Sequence, residues 1–235
     1  MKALANTPKG AAPVEFREVP EPHPAPHEAL IAVHAFSLNR GELTLMRIRP
    51  EGWQPGQDVS GVVLKAAADG SGPKEGTRVV GILDWHGWAE RAEVSTHRIA
   101  ALPDAVSFGA AAALPVGGLT ALRTLRHGAP LLGRRVLITG AAGGVGPLAV
   151  PLAAPSGAEV TAVARGARGA PLIKLGARSV IDDIAKAHDI AKEGGKFRLI
   201  LESAGGASLK AAIGLLEPKG TIVIFGNSSG EETSI

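Results

Sequence analysis

The 235-residue sequence predicts an α/β protein with two domains: a β-rich domain over residues 1–118, then a doubly wound parallel sheet over residues 119–235. The first hundred residues consist of short apolar runs separated by turns rich in Pro and Gly, which is typical of small strands. From residue 135 onward, apolar runs alternate with segments long enough to form crossover helices. The first of these later runs ends in a dense cluster of glycines, as strands that bind a ligand at their carboxyl ends often do.

Seven short strands and two helices are predicted in and just after the first domain. The strands cover residues 2–4, 14–17, 29–35, 59–64, 78–83, 88–94 and 97–101. Turn-forming stretches such as Pro-Glu-Pro-His-Pro-Ala-Pro and Asp-Gly-Ser-Gly-Pro separate them. Residues 107–115 and 118–125 are rich in helix-forming residues and predict two short helices.

Five parallel strands are predicted in the second domain, at residues 135–139, 159–164, 179–181, 198–202 and 221–225. The segment behind the first of them carries Pro147, Pro151 and Pro155. A proline inside a helix loses a backbone hydrogen bond and clashes with the preceding turn, at a cost of about 3 kcal/mol. We therefore expect a kinked or shortened helix there.

The composition excludes several classes of protein. The sequence is 45% hydrophobic and 20% charged, which is incompatible with intrinsic disorder. It contains neither Cys nor Tyr, which rules out a disulfide, a thiolate nucleophile, a Cys-ligated metal and a phenolic acid or base. The seven His residues do not have the spacing of metal ligands, so no metal site is predicted.

The charges and the apolar segments bear on partners and location. Residues 1–118 carry 11 Lys/Arg and 13 Asp/Glu, whereas residues 119–235 carry 14 and 9, so an anionic ligand is expected at the second domain. No basic run or basic–aromatic alternation indicates nucleic acid. The uncharged stretch 136–158 holds five Gly and three Pro, which favours a turn and a buried helix over a membrane span. The first residues do not resemble a signal peptide, so a cytoplasmic location is expected.

A candidate nucleotide site lies in Val-Leu-Ile-Thr-Gly-Ala-Ala-Gly-Gly-Val-Gly at residues 136–146. An apolar strand runs into a glycine turn and then into an apolar helix, where the backbone can approach a pyrophosphate closely and the helix N-terminus can face its charge. The predicted contact residues are Ala141, Gly143, Gly144, Val145 and Gly146.

The end of the second strand indicates which dinucleotide binds. A site for NAD usually places Asp or Glu there, whereas a site for NADP places basic groups near the 2′-phosphate. This sequence has Ala-Arg-Gly-Ala-Arg at the position, with Arg165 and Arg168 and no acid. NADPH is therefore favoured over NADH.

Two further turns follow the fourth and fifth strands and are expected at the same sheet edge. The first is Glu-Ser-Ala-Gly-Gly at 202–206, and the second is Gly-Asn-Ser-Ser-Gly at 226–230. Small residues there would let a cofactor lie against the backbone, and Asn227 or Ser228 could hydrogen-bond a nicotinamide amide. The candidate cofactor contacts from these turns are Ser203, Ala204, Gly205, Gly226, Asn227 and Ser228.

Six stretches in both domains carry a family resemblance. They are Phe-Ser-Leu-Asn-Arg-Gly-Glu (36–42), Pro-Gly-Gln-Asp-Val-Ser-Gly-Val-Val (55–63), Gly-Trp-Ala-Glu (87–90), Leu-Pro-Val-Gly-Gly-Leu-Thr-Ala (114–121), Ala-Ala-Gly-Gly-Val-Gly (141–146) and Phe-Gly-Asn-Ser-Ser-Gly (225–230). In this order they resemble the zinc-independent quinone oxidoreductase branch of the medium-chain dehydrogenase/reductase superfamily.

The resemblance implies a GroES-like substrate domain and a Rossmann domain, with NADPH and a quinone or other conjugated carbonyl meeting in a cleft between them. It assigns Asn39 as the catalytic residue facing the nicotinamide, and it places Thr120 beside the cofactor. Zinc-dependent relatives carry Gly-His-Glu where this sequence has Gly-Gln-Asp at 56–58, so no catalytic zinc is expected.

One departure concerns length. The family's chain normally continues into a sixth Rossmann strand and then returns to the substrate domain, whereas this sequence stops at Ile235. A sheet without its sixth strand would leave open an edge that relatives commonly use to dimerise. We therefore expect an incomplete Rossmann sheet of about five strands, and a chain that is either a fragment or impaired in activity; a homodimer stays open.

Three functions are compatible with these observations. The first is hydride transfer from NADPH to a quinone, whose product phenolate needs little help from the protein. The second is reduction of an enoyl thioester or enone with the same cofactor. The third is a non-catalytic NADPH-binding protein or inactive fragment.

Overall fold

The computed structural model describes residues 1–128 and 130–234. The chain divides into two compact units, Met1–Val116 and Gly117–Ile235, called here the first and second units. The first unit contains a curled antiparallel sheet and the second a parallel sheet of five strands. The predicted α/β fold class, a GroES-like domain followed by a Rossmann domain, is confirmed.

The first unit contains two antiparallel sheets. Its elements are β1 (Lys2–Asn6), β2 (Val14–Glu18), β3 (Glu28–Phe36), α1 (Arg40–Leu45), β4 (Asp58–Lys65), β5 (Arg78–Ile82), β6 (Arg91–Ser95), β7 (Ile99–Ala101) and α2 (Phe108–Ala112). Strands β1 and β2 form a hairpin, and the larger sheet has the order β6-β3-β4-β5-β7. Alternate residues of its strands, such as Ile31, Val59 and Val79, pack together as a buried core.

Two predicted strands of this unit are shorter than expected. The segment 97–101 begins as a 3₁₀ turn, Thr96–Arg98, because the Ser95 hydroxyl accepts the His97 N–H and turns the chain before β7 starts. The segment 88–94 enters the sheet only at Arg91. Residues before it form a loop in which Trp88 is buried.

The second unit begins within helix α3 (Pro115–Arg126) and then alternates strands with helices. Its elements are β8 (Arg135–Ile138), α4 (Gly146–Ala153), β9 (Glu159–Val163), α5 (Ala170–Lys174), β10 (Ser179–Ile181), α6 (Ala187–Gly194), β11 (Phe197–Glu202), α7 (Gly206–Gly214) and β12 (Leu216–Ile224). All five strands are parallel, in the order β10-β9-β8-β11-β12. The order reverses between β8 and β11, which is where ligands bind in sheets of this kind.

Helices cover both faces of the parallel sheet. Val136 and Ile138 of β8 pack with residues of α4 on one face. Leu137, between them in sequence, packs with residues of α6 and α7 on the other. Burial on both faces explains why the strands are continuous apolar runs rather than alternating ones.

Strand β12 corrects one sequence-based boundary. We expected a strand over 221–225, but β12 begins at Leu216. The early part contains Pro218 and a left-handed Lys219 (φ 63°), and its pairing with β11 shifts register between Phe197 and Leu199. Irregular pairing between Leu216 and Thr221 therefore accommodates residues that normally end a strand.

Helix α4 is short, but it continues through Pro151 instead of ending there, and the alternative expectation of a kink stays a prediction. It runs for eight residues, Gly146–Ala153, with Pro151 inside it. Pro147 lies in the first turn, where its missing N–H has no intrahelical partner to lose. Within residues 1–128 and 130–234, no helix has the length and apolar character needed to cross a bilayer.

Replacement of Pro151 is predicted to stabilise the second unit. Pro151→Ala restores a backbone donor inside α4 and should raise the free energy of unfolding by about 1–3 kcal/mol. Pro147→Ala is the matched control and should have little effect because of its position in the first turn. Urea denaturation of both variants measures the difference; equal stabilities would show that the helix has already adapted to Pro151.

Candidate functional site

The glycine turn between β8 and α4 depends on one close approach of the backbone to itself. A β-carbon on Gly146 would lie 2.0 Å from the carbonyl oxygen of Ala141, well inside van der Waals contact. Gly140 adopts a left-handed conformation (φ 57°) at the start of the same turn. Glycine at these two positions lets α4 begin directly over the end of β8.

The turn presents backbone N–H groups that the described part of the chain leaves unpaired. Ala141 N–H donates to the Val163 carbonyl and Gly143 N–H to the Gly140 carbonyl, both at 2.9 Å. In contrast, the N–H groups of Gly144, Val145 and Gly146 find no acceptor among residues 1–128 and 130–234, and no side chain caps α4. Gly143 and Gly144 are exposed. Unpaired donors at a helix N-terminus form a binding site for an anion such as a diphosphate.

Arg165 and Arg168 follow the carboxyl end of β9, the strand beside β8. Arg165 precedes a 3₁₀ turn, Gly166–Gly169, which contains Arg168. Both side chains are exposed. Within the described residues neither guanidinium donates a hydrogen bond or forms an ion pair. Two unpaired cations thus lie one strand away from the glycine turn.

The buried carboxylate of Glu202 organises the end of β11. Its oxygens accept the Ala204 N–H (3.1 Å), the Gly205 N–H (3.0 Å) and the Ser208 hydroxyl (3.0 Å). Thr139, at the end of β8, donates its hydroxyl to the same carboxylate at 3.1 Å and accepts the Ser203 N–H at 2.9 Å. Glu202 and Thr139 therefore tie the two central strand ends together. Neither residue is assigned a role from the sequence, although each is a polar residue at the end of an apolar strand and Glu202 opens the predicted turn at 202–206.

The turns after β11 and β12 meet, as predicted. Ser228 N–H donates to the Ser203 carbonyl (2.9 Å), and Ser229 N–H donates to that of Ala204 (2.8 Å). Gly226 also lies against the turn after β11, because a β-carbon on Gly226 would be 3.1 Å from the Ser203 carbonyl oxygen.

Asn227 has a local role. Its Nδ2 donates to the Glu231 carbonyl at 3.1 Å, and its Oδ1 accepts the Gly230 N–H at 3.2 Å. Gly205, at φ 75°, has no space for a β-carbon, which would lie 2.0 Å from that Oδ1. The Asn227 amide therefore holds the turn together, and its contact with a nicotinamide stays a prediction.

Thr120 lies near the glycine turn within the second unit. It is half-buried in α3, one helical turn beyond Gly117. A β-carbon on Gly117 would lie 3.1 Å from the Gly144 carbonyl oxygen, so this face of α3 borders the turn. The position is compatible with the cofactor contact that the family resemblance implies.

In the first unit, the polar groups of Asn39 are already engaged. Asn39 is the N-cap of α1, and its N–H donates to the Glu42 carboxylate at 2.6 Å. Its Nδ2 donates to Asp58 Oδ2 at 2.8 Å. A substrate oxygen would therefore have to share an amide that already serves a carboxylate, and the catalytic role of Asn39 stays a prediction.

Asp58 and Glu42 are buried carboxylates held by neutral donors. Asp58 also accepts the Ser37 hydroxyl at 2.5 Å and the Val116 N–H at 2.9 Å. Glu42 also accepts the Gln57 N–H at 2.9 Å. Burial raises the pKa of Glu42 above its ordinary value, and the negative charge of Asp58 adds to the rise while these backbone bonds oppose it.

Asp58 is the acid of the Gly-Gln-Asp segment that replaces the Gly-His-Glu motif of zinc-dependent relatives. In the part of the chain that the structure describes, no three His, Cys, Asp or Glu side chains lie close enough together to hold a metal ion.

Two family models match the chain. The alcohol dehydrogenase GroES-like domain matches residues 25–127, and the zinc-binding dehydrogenase domain matches residues 144–235. A quinone oxidoreductase from Pongo abelii is 31% identical in an alignment of 223 positions that covers 89% of this chain and 68% of the relative. The chain belongs to the quinone oxidoreductase branch of the medium-chain dehydrogenase/reductase superfamily.

Other comparisons agree with this family and show how much of the length of its members the chain spans. A chloroplast envelope quinone oxidoreductase homolog from Arabidopsis thaliana is 38% identical over 190 residues, covering 74% of this chain but 57% of that protein. The structure of Escherichia coli quinone oxidoreductase complexed with NADPH superposes with a TM-score of 0.89 at 26% identity and covers 100% of this chain and 76% of that one. The chain therefore spans between about half and three quarters of the length of these family members.

The close approach at Gly146 predicts a contrast between two neighbouring glycines. Gly146→Ala forces a β-carbon against the Ala141 carbonyl and should lower the free energy of unfolding by about 2–3 kcal/mol. A β-carbon on Gly144 meets nothing within 4 Å, so Gly144→Ala should change stability by less than about 1 kcal/mol. Chemical denaturation compares the two; similar losses would show that the close approach is not what requires glycine.

The raised pKa of Glu42 predicts a pH dependence of stability. The folded state binds the Glu42 proton more tightly than the unfolded state, so this group's contribution falls as pH rises from the ordinary carboxyl pKa through the higher folded value. Glu42→Gln removes that contribution. Unfolding free energies measured between about pH 4 and 7 should therefore decline less in the variant than in the parent. If the unfolding free energies of the parent and the variant changed with pH in parallel, the raised pKa of the buried Glu42 carboxyl would be contradicted.

Proposed function

We propose that the chain is an NADPH-dependent oxidoreductase that transfers hydride to a quinone or another conjugated carbonyl without a catalytic metal. The observation that carries this proposal is the set of unpaired N–H groups at Gly144, Val145 and Gly146, with two unpaired arginines one strand away. An N–H cluster at the start of a helix suits a diphosphate, and guanidinium groups suit an additional phosphate. Membership of the quinone oxidoreductase branch also supports an NADPH-dependent oxidoreductase.

Several residues of the second unit would hold the dinucleotide. The glycine turn would bind the diphosphate through its backbone, and Arg165 and Arg168 would bind the 2′-phosphate through charge-assisted hydrogen bonds. Thr120 and the paired turns at 203–205 and 226–228 would border the rest of the cofactor. The tight hydrogen bonding of those turns gives NADPH a preformed backbone surface rather than free side chains.

The residues available for chemistry favour an acceptor that needs little assistance. Bound NADPH would supply a hydride, and a proton from solvent would complete the reduction of a quinone to a hydroquinone, leaving NADP⁺. No Tyr or Cys exists in the sequence, and the Asn39 amide already donates to Asp58. The chain therefore offers few donors for the negative charge on a product oxygen, and a quinone, which forms a stabilised phenolate, suits it better than a simple ketone.

We also propose that the reaction does not use zinc, because the residues that could coordinate the metal are missing. The sequence has no Cys, and Gln57 stands where zinc-dependent relatives place His. Both ligand types that commonly hold catalytic zinc in such enzymes are thus missing at this position. A cytoplasmic location likewise stays a prediction of the sequence.

The assay that tests the function compares acceptors. NADPH oxidation should be faster with a naphthoquinone than with a crotonyl thioester, and neither rate should fall after treatment with a chelator. Faster turnover of the thioester would favour the enoyl reductase. Saturable NADPH binding without turnover of either acceptor would indicate the non-catalytic NADPH-binding protein.

Cofactor selectivity gives a test of the arginine assignment. Arg165→Gln and Arg168→Gln should each raise the Kd for NADPH about tenfold or more, because a charge-assisted bond to phosphate contributes about 1.5–3 kcal/mol. The Kd for NADH should hardly change. Arg134→Gln is the matched control, since this exposed arginine precedes the amino end of β8, whereas the candidate site lies at the carboxyl ends of the strands. Equal losses for NADPH and NADH, or an equal effect of Arg134→Gln, would contradict the assignment.

A further inference from the structure

Two of the three tryptophans of the chain form a corner with an arginine in the first unit. The ring centroids of Trp53 and Trp85 lie 5.1 Å apart with an interplanar angle of 64°. The Arg49 guanidinium carbon lies 5.8 Å from each ring centroid. Both tryptophans are half-buried and Arg49 is exposed, so the corner is open to solvent on one side.

Arg49 differs from the other arginines that stack on aromatic rings. Arg78 and Arg135 lie over phenylalanine rings, and both also donate hydrogen bonds to backbone carbonyls. Within the described residues the Arg49 guanidinium donates to no acceptor and forms no ion pair. A guanidinium has five donors, so Arg49 can still bind a ligand oxygen.

The two loops that carry the tryptophans are held together by their backbones. His86 N–H donates to the Gln54 carbonyl (3.3 Å), Gly87 N–H to that of Gly56 (2.9 Å), and Trp88 N–H to that of Pro55 (3.2 Å). A β-carbon on Gly56 would lie 2.3 Å from the Trp88 nitrogen, so only glycine allows the loops to approach this closely. The tryptophan pair is thus preorganised.

Two unfavourable features that a surface cluster would not require lie beside or within these loops. Buried Asn6, at the end of β1, donates its Nδ2 to the carbonyls of Arg49 (3.0 Å) and Pro50 (3.3 Å), and its Oδ1 has no partner among the described residues. His86, next to Trp85, adopts a left-handed backbone conformation with φ 73°. Unsatisfied buried groups and strained backbone are concentrated at functional sites in proteins.

Trp85 also borders a cavity of a size suited to a small molecule. The cavity has a volume of about 340 Å³, and its wall includes Gln54, Trp85 and His86. Its arginines, Arg91 and Arg98, form ion pairs with Glu21 and Asp84 at 2.7 Å. Those two cations are therefore neutralised, whereas Arg49, which does not line this cavity, has no hydrogen-bond acceptor or ion-pair partner for its guanidinium among the described residues.

We propose that Trp53, Trp85 and Arg49 form a subsite for a planar aromatic ring bearing carbonyl oxygens, which makes the substrate of the proposed function an aromatic quinone. An electron-poor ring gains from stacking on an electron-rich indole, and a quinone oxygen can accept a hydrogen bond from Arg49. The short aliphatic chain of an enoyl thioester offers neither interaction. The inference rests on the proposed function for its catalytic meaning, but the binding itself does not require NADPH.

Quenching of tryptophan fluorescence by 2-methyl-1,4-naphthoquinone, in the absence of NADPH, tests the subsite. The chain has no Cys with which the quinone could react. Quenching of the parent protein should saturate with probe concentration. Arg49→Gln and Trp85→Leu should raise the Kd about fivefold or more. Trp85→Phe should retain most of the affinity because it keeps an aromatic face.

Arg47→Gln is the matched control, since Arg47 is an equally exposed arginine two residues away that is not stacked on either ring. It should leave the Kd unchanged, and circular dichroism should show that all variants are folded. Quenching that rises linearly with the quinone, or equal Kd values for Arg49→Gln and Arg47→Gln, would overturn the proposal. Saturable binding at the subsite without any NADPH oxidation would instead contradict the proposed function and leave the subsite standing.

Discussion

Helix α4 can start where it does only because residue 146 has no side chain. The 2.0 Å that separates an added β-carbon from the Ala141 carbonyl leaves no room for any other residue. This approach turns the chain sharply at the end of a buried central strand, where the N–H groups of Gly144, Val145 and Gly146 have no acceptor among the described residues. Both the position of the candidate site and its preference for an anion follow from that single packing constraint.

Buried carboxylates shape the turns around both candidate regions. Glu202 holds the turn after β11 through two backbone N–H groups and two hydroxyls. In the first unit, Asp58 and Glu42 hold Asn39 in the same manner. These acids, together with Asn39 and Asn227, bond to protein groups already. Within the described residues, the N–H groups of Gly144, Val145 and Gly146 and the guanidinium groups of Arg49, Arg165 and Arg168 have no protein acceptor, and all of them are donors suited to phosphate or carbonyl oxygens.

Local patterns predicted the fold class, the approximate positions of the strands along the chain and the glycine turn, because each depends on residues close in sequence. The engagement of Asn39 was not predictable, since its partner Asp58 lies 19 residues away and reaches it only through the pairing of β3 with β4. The corner of Trp53 and Trp85 likewise forms between separate loops. The predicted start of β12 is too late because the strand includes Pro218 and Lys219 in a stretch of irregular pairing with β11. Tertiary pairing decided each of these cases, and no local signal reports it.

The central claim is that the unpaired N–H groups of the glycine turn bind the diphosphate of a dinucleotide. A ¹H–¹⁵N correlation spectrum recorded during titration with NADPH observes those groups directly. The account predicts that the amide resonances of Gly144, Val145 and Gly146 shift in a saturable manner, with the same Kd as the rest of the site. Saturable shifts confined to other parts of the chain, with these three amides unmoved, would contradict it.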